Sequence, residues 1–243
     1  MKTKAKFAKK NPGRIILSCI LAIGLVVSMM PLSLTKAYAQ EVGQAVAALA
    51  GNTTEFGGGA GTPDNPYLIS SKQHLDNVRK YLNASFKLMA DITFTEADFS
   101  STGSFYNNGE GWKPIGTGYN SSFSGVFDGN NHTIKGLYIN SNDRYVGLFG
   151  YNSGTIKNLG MLEGSLKNSV SSSYAGGIAG YNYRGTITNC YNTGDVSADA
   201  DEYYSMAGGI TGHSEEGTIT NCYNAGNAVS YTHLRAHETE LHL

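Results

Sequence analysis

Residues 185–192 read Gly-Thr-Ile-Thr-Asn-Cys-Tyr-Asn, and residues 217–224 repeat these eight residues without a change. The same frame occurs once upstream, where residues 154–156 read Gly-Thr-Ile and Asn158 follows. Self-similarity at a fixed interval is the sequence signature of stacked repeat architectures. This stretch therefore predicts a fold made of stacked repeats.

A second motif, two glycines separated by two residues, opens each unit. It reads Gly-Leu-Phe-Gly at 147–150, Gly-Ile-Ala-Gly at 177–180 and Gly-Ile-Thr-Gly at 209–212, which gives offsets of 30 and 32 residues. A further glycine closes each unit 17 residues after the opening one, at Gly164, Gly194 and Gly226. Glycine supplies the positive-φ turns that close such corners.

Strands of about five residues separated by Gly and Asn cannot bury a core alone, but stacked coils pair their backbones and bury one apolar row per strand. The pattern predicts an all-β fold, a right-handed parallel β-helix or solenoid built from 30–32-residue repeats over residues 110–228. The spacers 165–176 and 197–208 are expected to be loops on one face. Composition agrees, since glycine is high at 31 residues and only 15% of residues are charged.

The first 39 residues have the features of a Sec-type signal peptide. Basic residues precede an apolar run at 15–30, and Ala37-Tyr38-Ala39 forms a small-x-small cleavage site. The apolar run is shorter than the roughly 20 residues of a spanning helix. We expect cleavage after Ala39, with an uncleaved anchor as the alternative, and no membrane span in the mature chain. The protein is then secreted or extracellular and associated with the cell surface.

Removal of the signal peptide changes the charge balance. The whole chain has 18 basic and 19 acidic residues, and residues 1–39 hold seven of the basic and none of the acidic ones. The mature chain therefore has 11 basic against 19 acidic residues, a net charge of about −8. This balance argues against nucleic acid and against anionic membrane surfaces as partners, because both need basic patches.

Two segments precede the predicted solenoid. Residues 40–61 are glycine-rich and are expected to form a flexible linker. Residues 62–109 are expected to form an N-terminal cap of strand, helix and strands. Leu75, Val78 and Leu82 fall at helical spacing, so the helix is predicted over Ser71–Leu82, with Ser70 and Gln73 at capping-box spacing. This helix should cover the open N-terminal end of the solenoid.

The glycine-framed units resemble the GLUG repeat of bacterial surface proteins. Residues 112–116 (Trp-Lys-Pro-Ile-Gly) and 123–129 (Phe-Ser-Gly-Val-Phe-Asp-Gly) resemble the segment that precedes the first repeat, and the resemblance covers about residues 60–228. Repeats of this kind occur in adhesin-like proteins and in non-catalytic parts of IgA-specific metallopeptidases. The resemblance implies a surface module and does not name a ligand.

Residues 229–243 depart from the repeat. Their sequence resembles translated sequencing-adapter sequence, so we expect an artefactual tail and a natural protein that continued beyond it. His237 and His242 in this tail resemble a zinc-peptidase motif, but they are five residues apart, and that motif needs a spacing of four to place both imidazoles on one helix face.

No catalytic residue, cofactor site or metal site is predicted. The carboxylates are scattered, and no nucleophile–base or phosphate-loop signature occurs in the chain. The expected function is that of a non-catalytic binding, adhesion or spacer region whose partner is a surface glycan or a host or extracellular protein. The alternative is the N-terminal, non-catalytic part of a larger secreted enzyme, an IgA-peptidase-like metallopeptidase or a glycan-active enzyme.

Aromatic residues recur at two repeat positions. Tyr151 and Tyr181 follow the paired-glycine motif, with His213 at that place in the third unit, and Tyr191 aligns with Tyr223. Such a stripe could stack on sugar rings, or it could be an aromatic ladder that packs one coil on the next.

Two further repeat positions carry groups that stacking would bring together. Asn158, Asn189 and Asn221 are expected to form a hydrogen-bonded ladder, so that Asn189→Ala should destabilise the fold without affecting binding. Cys190 and Cys222 are predicted to lie on adjacent coils about 4.8 Å apart, which allows either a disulfide or two stacked free thiols.

Overall fold

Short parallel strands, many of them followed by a Gly or Asn corner, form stacked coils. The computed structural model describes residues 55–170, 172–200 and 205–232, all within the unit Gly51–Leu243. The predicted signal peptide, residues 40–54 of the expected linker and residues 233–243 lie outside the described residues.

Five sheets run along the stack. Sheet A contains β1 (Tyr67–Ile69), β2 (Ser85–Leu88), β4 (Val126–Asp128), β9 (Thr155–Lys157), β14 (Thr186–Thr188) and β19 (Thr218–Thr220). Sheet B contains β3 (Ile92–Thr93), β5 (Thr133–Lys135), β10 (Gly160–Leu162), β15 (Tyr191–Asn192) and β20 (Tyr223–Asn224). Sheet C contains β6 (Tyr138–Ser141), β11 (Ser165–Asn168), β16 (Asp195–Ala200) and β21 (Ala228–Thr232). Sheet D contains β7 (Tyr145–Val146), β12 (Tyr174–Gly176) and β17 (Met206–Gly208), and sheet E contains β8 (Phe149–Asn152), β13 (Ala179–Tyr183) and β18 (Thr211–Glu215).

Each strand pairs in parallel with the equivalent strand of the next coil, as β9 pairs with β14 and β14 with β19. In-register stacking places the same repeat position of successive coils in one column, and the column Phe127, Ile156, Ile187 and Ile219 lines the interior. Ile187 is fully buried, whereas Ile219 in the last described coil is 39% exposed. The predicted parallel β-solenoid is confirmed, and its right-handed sense stays a prediction.

The spacers between the glycine-framed units are largely strands. The prediction of loops at 165–176 and 197–208 is wrong for β11, β12, β17 and most of β16. Leu166 and Asn168 are buried and alternate with exposed neighbours, and on the next coil the buried Val196 and Ala198 alternate with exposed or partly exposed ones. An alternation of buried and exposed residues with only two buried positions does not stand out in a polar stretch, although it is enough to bury one face of a short strand.

The N-terminal cap contains a shorter helix than predicted. Helix α1 spans Lys72–Asn77, and a 3₁₀ turn over Val78–Lys80 follows it. Its N-cap is Ser71 rather than Ser70, and the Ser71 hydroxyl accepts a hydrogen bond from the His74 backbone N–H at 3.1 Å. Leu75 and Val78 are fully buried and join the core cluster, so the helix packs against the interior, as its apolar spacing predicts.

A second helix was not predicted. Helix α2 spans Glu96–Phe99, and Thr95 and Asp98 form a capping box at its start. Asp98 also pairs with Lys72 at 2.6 Å, which ties α2 to the first turn of α1. Two further 3₁₀ turns lie at Asn107–Gly109 and Tyr119–Ser121.

Both ends of the described region differ from the expected boundaries. Residues 55–61, expected to belong to the flexible linker, are packed: Phe56 is buried and stacks on Tyr67 with ring centroids 4.4 Å apart. At the other end, β21 continues through Val229 to Thr232 and pairs with β16, so four residues of the expected tail extend a strand. The origin of residues 229–243 stays a prediction.

Candidate binding surface

The paired-glycine motif forms the corner between sheets D and E. A Cβ on Gly180 would lie 2.7 Å from the backbone N of Val146 and 2.8 Å from the carbonyl oxygen of Tyr174. The equivalent position on Gly212 would lie 2.7 Å from the backbone N of Ala175. Only glycine allows the two sheets to approach this closely, and the tight corner sets the outer surfaces of the two sheets side by side.

Tyrosine rings form two columns across this corner. On sheet D, Tyr145 stacks on Tyr174 with centroids 5.9 Å apart and ring planes 11° apart. On sheet E, Tyr151 stacks on Tyr181 at 5.0 Å and 14°, and His213 follows at 5.0 Å from Tyr181. Edge-to-face contacts join the columns, with Tyr145 and Tyr151 5.3 Å apart at 87°.

Two more tyrosines extend this cluster. Tyr119, from the 3₁₀ turn, meets Tyr151 edge-on at 6.4 Å and Tyr183 at 5.8 Å. We call the whole set, Tyr119, Tyr145, Tyr151, Tyr174, Tyr181 and Tyr183, the tyrosine face. Tyr119 is 69% exposed, whereas Tyr151 is only 5% exposed, with Tyr181 stacked on its ring and Tyr119 and Tyr145 in edge-on contact with it. The surface therefore offers the exposed Tyr119 ring together with ring edges and hydroxyl groups.

The hydroxyl groups of Tyr151 and Tyr181 stay protonated across the physiological range. Burial raises the pKa of Tyr151 to about 12, with neighbouring phenols adding to the effect. Burial also raises the pKa of Tyr181, and a hydrogen bond from its hydroxyl to the Glu215 carboxylate raises it further. Protonated phenols can both donate and accept hydrogen bonds, which suits a polar ligand.

Two arginines border the tyrosine face. The Arg144 guanidinium carbon lies 5.5 Å from the Tyr145 ring centroid and 5.9 Å from that of Tyr174. The Arg184 guanidinium lies 4.9 Å from the Tyr183 ring centroid and pairs with Glu216 at 2.7 Å. The face is thus an aromatic surface with a polar, charged rim.

The second predicted aromatic position lies on sheet B. Tyr191 and Tyr223 stack with centroids 5.1 Å apart and planes 3° apart, and the Tyr191 ring lies over Gly160 on the preceding coil. Tyr223 is 59% exposed because no described residue stacks on its outer face. This column holds two rings and no flanking cation–π contact among the described residues, so it offers less surface than the tyrosine face.

The three predicted ladder asparagines lie at the corner between sheets A and B. Asn189 Nδ2 donates to Asn158 Oδ1 at 3.1 Å, and Asn221 Nδ2 donates to Asn189 Oδ1 at 3.2 Å. Asn158 in turn donates to Asp128 Oδ1 at 3.0 Å. Asn189 and Asn221 are exposed, and all three ladder residues adopt a left-handed backbone with φ of 52–54°.

A buried set of asparagines was not predicted. Asn152 Nδ2 donates to Asn182 Oδ1 at 2.7 Å between β8 and β13, and Asn192 Nδ2 donates to Asn224 Oδ1 at 2.9 Å between β15 and β20. Asn152 and Asn182 are fully buried. Asn192 and Asn224 occupy the same position of the eight-residue repeat, so the sequence could have predicted this second hydrogen-bonded pair.

Both predicted cysteines are free thiols that point into the stack. Cys190 is buried and Cys222 is partly exposed. Each thiol donates to the carbonyl two residues earlier at 3.2 Å, Cys190 to Thr188 and Cys222 to Thr220. Burial raises the pKa of the Cys190 thiol to about 12, which disfavours the reactive thiolate.

The carboxylates are largely occupied by structural contacts. Among the described residues, ion pairs join Asp98 to Lys72, Asp76 to Arg79, Asp128 to Lys157 and Glu163 to Lys135. Within the same part of the chain, no three metal-ligating side chains come together. A surface cleft of about 420 Å³ is lined by residues that include Asp91 and the Lys72–Asp98 pair.

The sequence identified two rings of the tyrosine face and missed four. Tyr145 and Tyr174 lie two and three residues before the opening glycine of their units, in stretches of unequal length, and no repeat alignment joined them. The recurrence of an aromatic residue just before that glycine could have predicted that Tyr145 and Tyr174 stack. Tyr119 lies outside the repeats and could be placed only by the fold.

A family model, the GLUG motif, matches residues 171–197. This match spans β12, β13, β14 and β15, with the second paired-glycine corner at its start. The chain contains a GLUG repeat. The coils before and after it pair with these strands in register, so the flanking units have the same geometry as the matched GLUG repeat.

Two known proteins are similar to this chain in sequence or in fold. A protein of Evansella cellulosilytica, provisionally named a Gly-rich membrane protein, is 43% identical over 81 residues, which are 32% of this chain and 8% of that protein. A crystal structure from Bacteroides ovatus, provisionally titled an immunoglobulin A1 protease, aligns with a TM-score of 0.53 and 25% identity. That alignment covers 73% of this chain and 62% of the other. The chain thus spans a small part of the first relative and less than two thirds of the second.

Across residues 55–170, 172–200 and 205–232, none of the helices has the length and apolar character needed to cross a bilayer.

Proposed function

We propose that this chain is an exported, non-catalytic GLUG module that binds an extracellular partner through the tyrosine face. The partner is a surface glycan or a host or extracellular protein. The stacked coils serve as a rigid support and spacer, with the protein secreted and held at the cell surface. The signal-peptide pattern of residues 1–39 and the membrane-protein name of the Evansella relative support this location.

The tyrosine face is the observation that carries this proposal. Six tyrosines gather at one corner outside the hydrophobic core cluster. Tyr119 is exposed and Tyr145, Tyr181 and Tyr183 are partly exposed, whereas Tyr151 and Tyr174 are buried among the rings. Exposed aromatic surface with a polar rim marks interaction sites on proteins. Tyrosine combines large contact area with a hydroxyl group and few rotatable bonds, which is why binding surfaces are rich in it.

A binding screen of the full chain against arrayed glycans and extracellular proteins tests the proposal. Tyr119→Ala should weaken binding roughly tenfold or more, as expected for an exposed aromatic anchor. The matched control is Tyr223→Ala, another exposed tyrosine on a different sheet, which should bind like the parent. Loss of binding in the Tyr223 variant with none in the Tyr119 variant would move the site to sheet B and contradict the proposal.

The non-catalytic part of the proposal has its own test. Purified protein should release no product from peptides or glycans, with or without added zinc or calcium. Reproducible turnover that disappears on substitution of one carboxylate, such as Asp91→Asn, would contradict it.

A second function is supported by the Bacteroides ovatus structure, whose provisional title is that of a protease. In this alternative the module is the non-catalytic N-terminal part of a larger secreted enzyme, a metallopeptidase or glycan-active protein. The complete natural reading frame decides between the two. A downstream His-Glu-x-x-His segment favours the enzyme, and a wall-binding or sorting segment favours the adhesive module.

A further inference from the structure

Arg144 is the most unusual charged residue of the tyrosine face. It directly precedes β7, is exposed, and its guanidinium lies beside two stacked tyrosine rings at 5.5 and 5.9 Å. Its carbonyl oxygen accepts a hydrogen bond from the Tyr174 backbone N–H at 2.9 Å, which fixes its backbone to the next coil. The cation is therefore held at one edge of the aromatic surface.

Comparison with Arg184 shows what distinguishes Arg144. Both guanidinium groups lie beside tyrosine rings at the border of the same face. Arg184 is neutralised by Glu216 at 2.7 Å, whereas no carboxylate of the described residues lies within ion-pair distance of Arg144. Arg144 thus presents its fork of N–H donors to solvent, and this geometry matches a carboxylate in two parallel hydrogen bonds.

We propose that Arg144 and the adjoining tyrosines form a subsite for a glycan that carries a carboxylated sugar. This inference rests on the proposed function and names the ligand class of the same face. The guanidinium would hold the carboxylate, while Tyr145 and the hydroxyl groups beside it contact the rest of the sugar. The net charge of about −8 on residues 40–243, the predicted mature chain, repels a polyanion at long range, so the ligand carries one carboxylate rather than a run of them.

Binding of 3′-sialyllactose and of lactose to the full chain tests the subsite, because the two sugars differ by one carboxylated unit. The parent should bind sialyllactose about tenfold more tightly, in line with a charge-assisted hydrogen-bond pair. Arg144→Gln should remove this preference. Arg184→Gln should keep it, since that cation is already paired. Raising the salt concentration should weaken the binding of sialyllactose more than that of lactose.

Three results would overturn the inference, and they separate it from the proposed function. Equal binding of both sugars, unchanged by Arg144→Gln, removes the subsite and leaves the tyrosine face as a glycan-binding surface. Acetate that competes as well as sialyllactose shows that the sugar is not recognised. Binding of neither sugar also overturns the subsite, while the proposed function is then judged by the screen with Tyr119→Ala. Thermal unfolding of both arginine variants confirms that each is folded.

Discussion

At the residue scale, asparagine has two different roles in this stack. Asn189 is exposed at a corner and takes a left-handed backbone, which asparagine tolerates better than other non-glycine residues. Asn182 is buried in a strand and pairs its amide with Asn152 and Ser214 on the flanking coils. The amide ladder along Asn189 is exposed, so each of its hydrogen bonds competes with water. The left-handed backbone conformation therefore contributes more to the stability of the fold than the ladder does.

Asn189 therefore offers a clear substitution test. Asn189→Ala should lower the free energy of unfolding by about 1–2 kcal/mol, because the left-handed conformation is sterically unfavourable for alanine. Asn189→Gly removes the same side chain but adopts this backbone freely, and should lie close to the parent. Urea unfolding of the three proteins measures both effects. Equal losses in the two variants would show that the amide ladder, rather than the backbone, supplies the stability.

Asp128, at the N-terminal end of that ladder, should make stability depend on acidity. Burial alone would raise its pKa, but hydrogen bonds from Asn158 and from the Asn130 backbone N–H, with Lys157 nearby, outweigh burial and lower it. The pKa of Asp128 is therefore lower in the folded protein than in the unfolded chain, where it is about 3.9. The ionised carboxylate stabilises the fold fully above pH ~3.9, and this stabilisation is lost as the pH falls through the pKa of the folded protein. Unfolding midpoints measured from pH 6 downward should fall less steeply in Asp128→Asn than in the parent. Identical slopes would count against this role.

The two stacked cysteines should react unequally. Parallel in-register strands hold equivalent Cβ atoms about 4.8 Å apart, more than the usual Cβ separation in a disulfide. We expect two thiols, with Cys222 alkylated well before Cys190, because Cys190 is buried and its pKa is raised. Iodoacetamide labelling of the native protein, read out by peptide mass spectrometry, gives the two rates. A cross-linked peptide that resists alkylation until reduction would show a disulfide instead.

At the element scale, the corner between sheets D and E depends on glycine. Gly180→Ala would place a methyl group 2.7–2.8 Å from two backbone atoms of flanking strands, and should cost about 1–3 kcal/mol or more in unfolding free energy. Gly118→Ala is the matched control, since its nearest heavy atom would lie 4.0 Å away. Denaturant unfolding should separate the two variants. Similar stabilities would show that the corner can relax, and that its glycines are not required by packing.

The elements also show how far sequence reasoning reaches. The repeated glycines and the Gly-Thr-Ile motif predict the stack, its parallel pairing and the register of sheet A, because each repeat position must return to the same column. The strands inside the spacers escaped prediction, since Leu166 and Asn168 give a pattern of only two inward residues. Helix α1 was predicted too long, because Leu82 continues the apolar spacing while the backbone has already tightened into a 3₁₀ turn at Val78.

Within the tyrosine face, the same limit applies to individual residues. Tyr151 and Tyr181 follow an obvious motif and were found, whereas Tyr174 lies in the spacer 165–176 and Arg144 precedes the first glycine-framed unit, so neither belongs to a repeated motif. Tyr174 approaches Tyr145 because strand β12 pairs with β7, a contact between residues about 30 positions apart, and the same pairing brings Arg144 beside the Tyr174 ring. A site assembled across coils becomes visible only once the register of every coil is known.

At the scale of the whole molecule, everything proposed for the tyrosine face requires that the coils stack in register. Tyr145 meets Tyr174, and Tyr151 meets Tyr181, because each coil places its strands directly on the preceding ones. A shift of one residue would turn these rings toward the interior and bring core residues to the surface. The tyrosine face therefore exists only if the coils stack directly on one another in register.

A spin-label distance along sheet A tests this stacking of coil on coil. Lys87 and Thr220 belong to one column, joined through Asp128, Lys157 and Thr188. Four parallel steps of about 4.8 Å place their backbones about 19 Å apart, although 133 residues separate them in sequence. Double electron–electron resonance, with labels at these two positions and the native cysteines replaced by alanine, should give a narrow distribution near that value after allowance for the label arms. A broad distribution, or a mean separation well above it, would contradict the stacked solenoid and with it the tyrosine face.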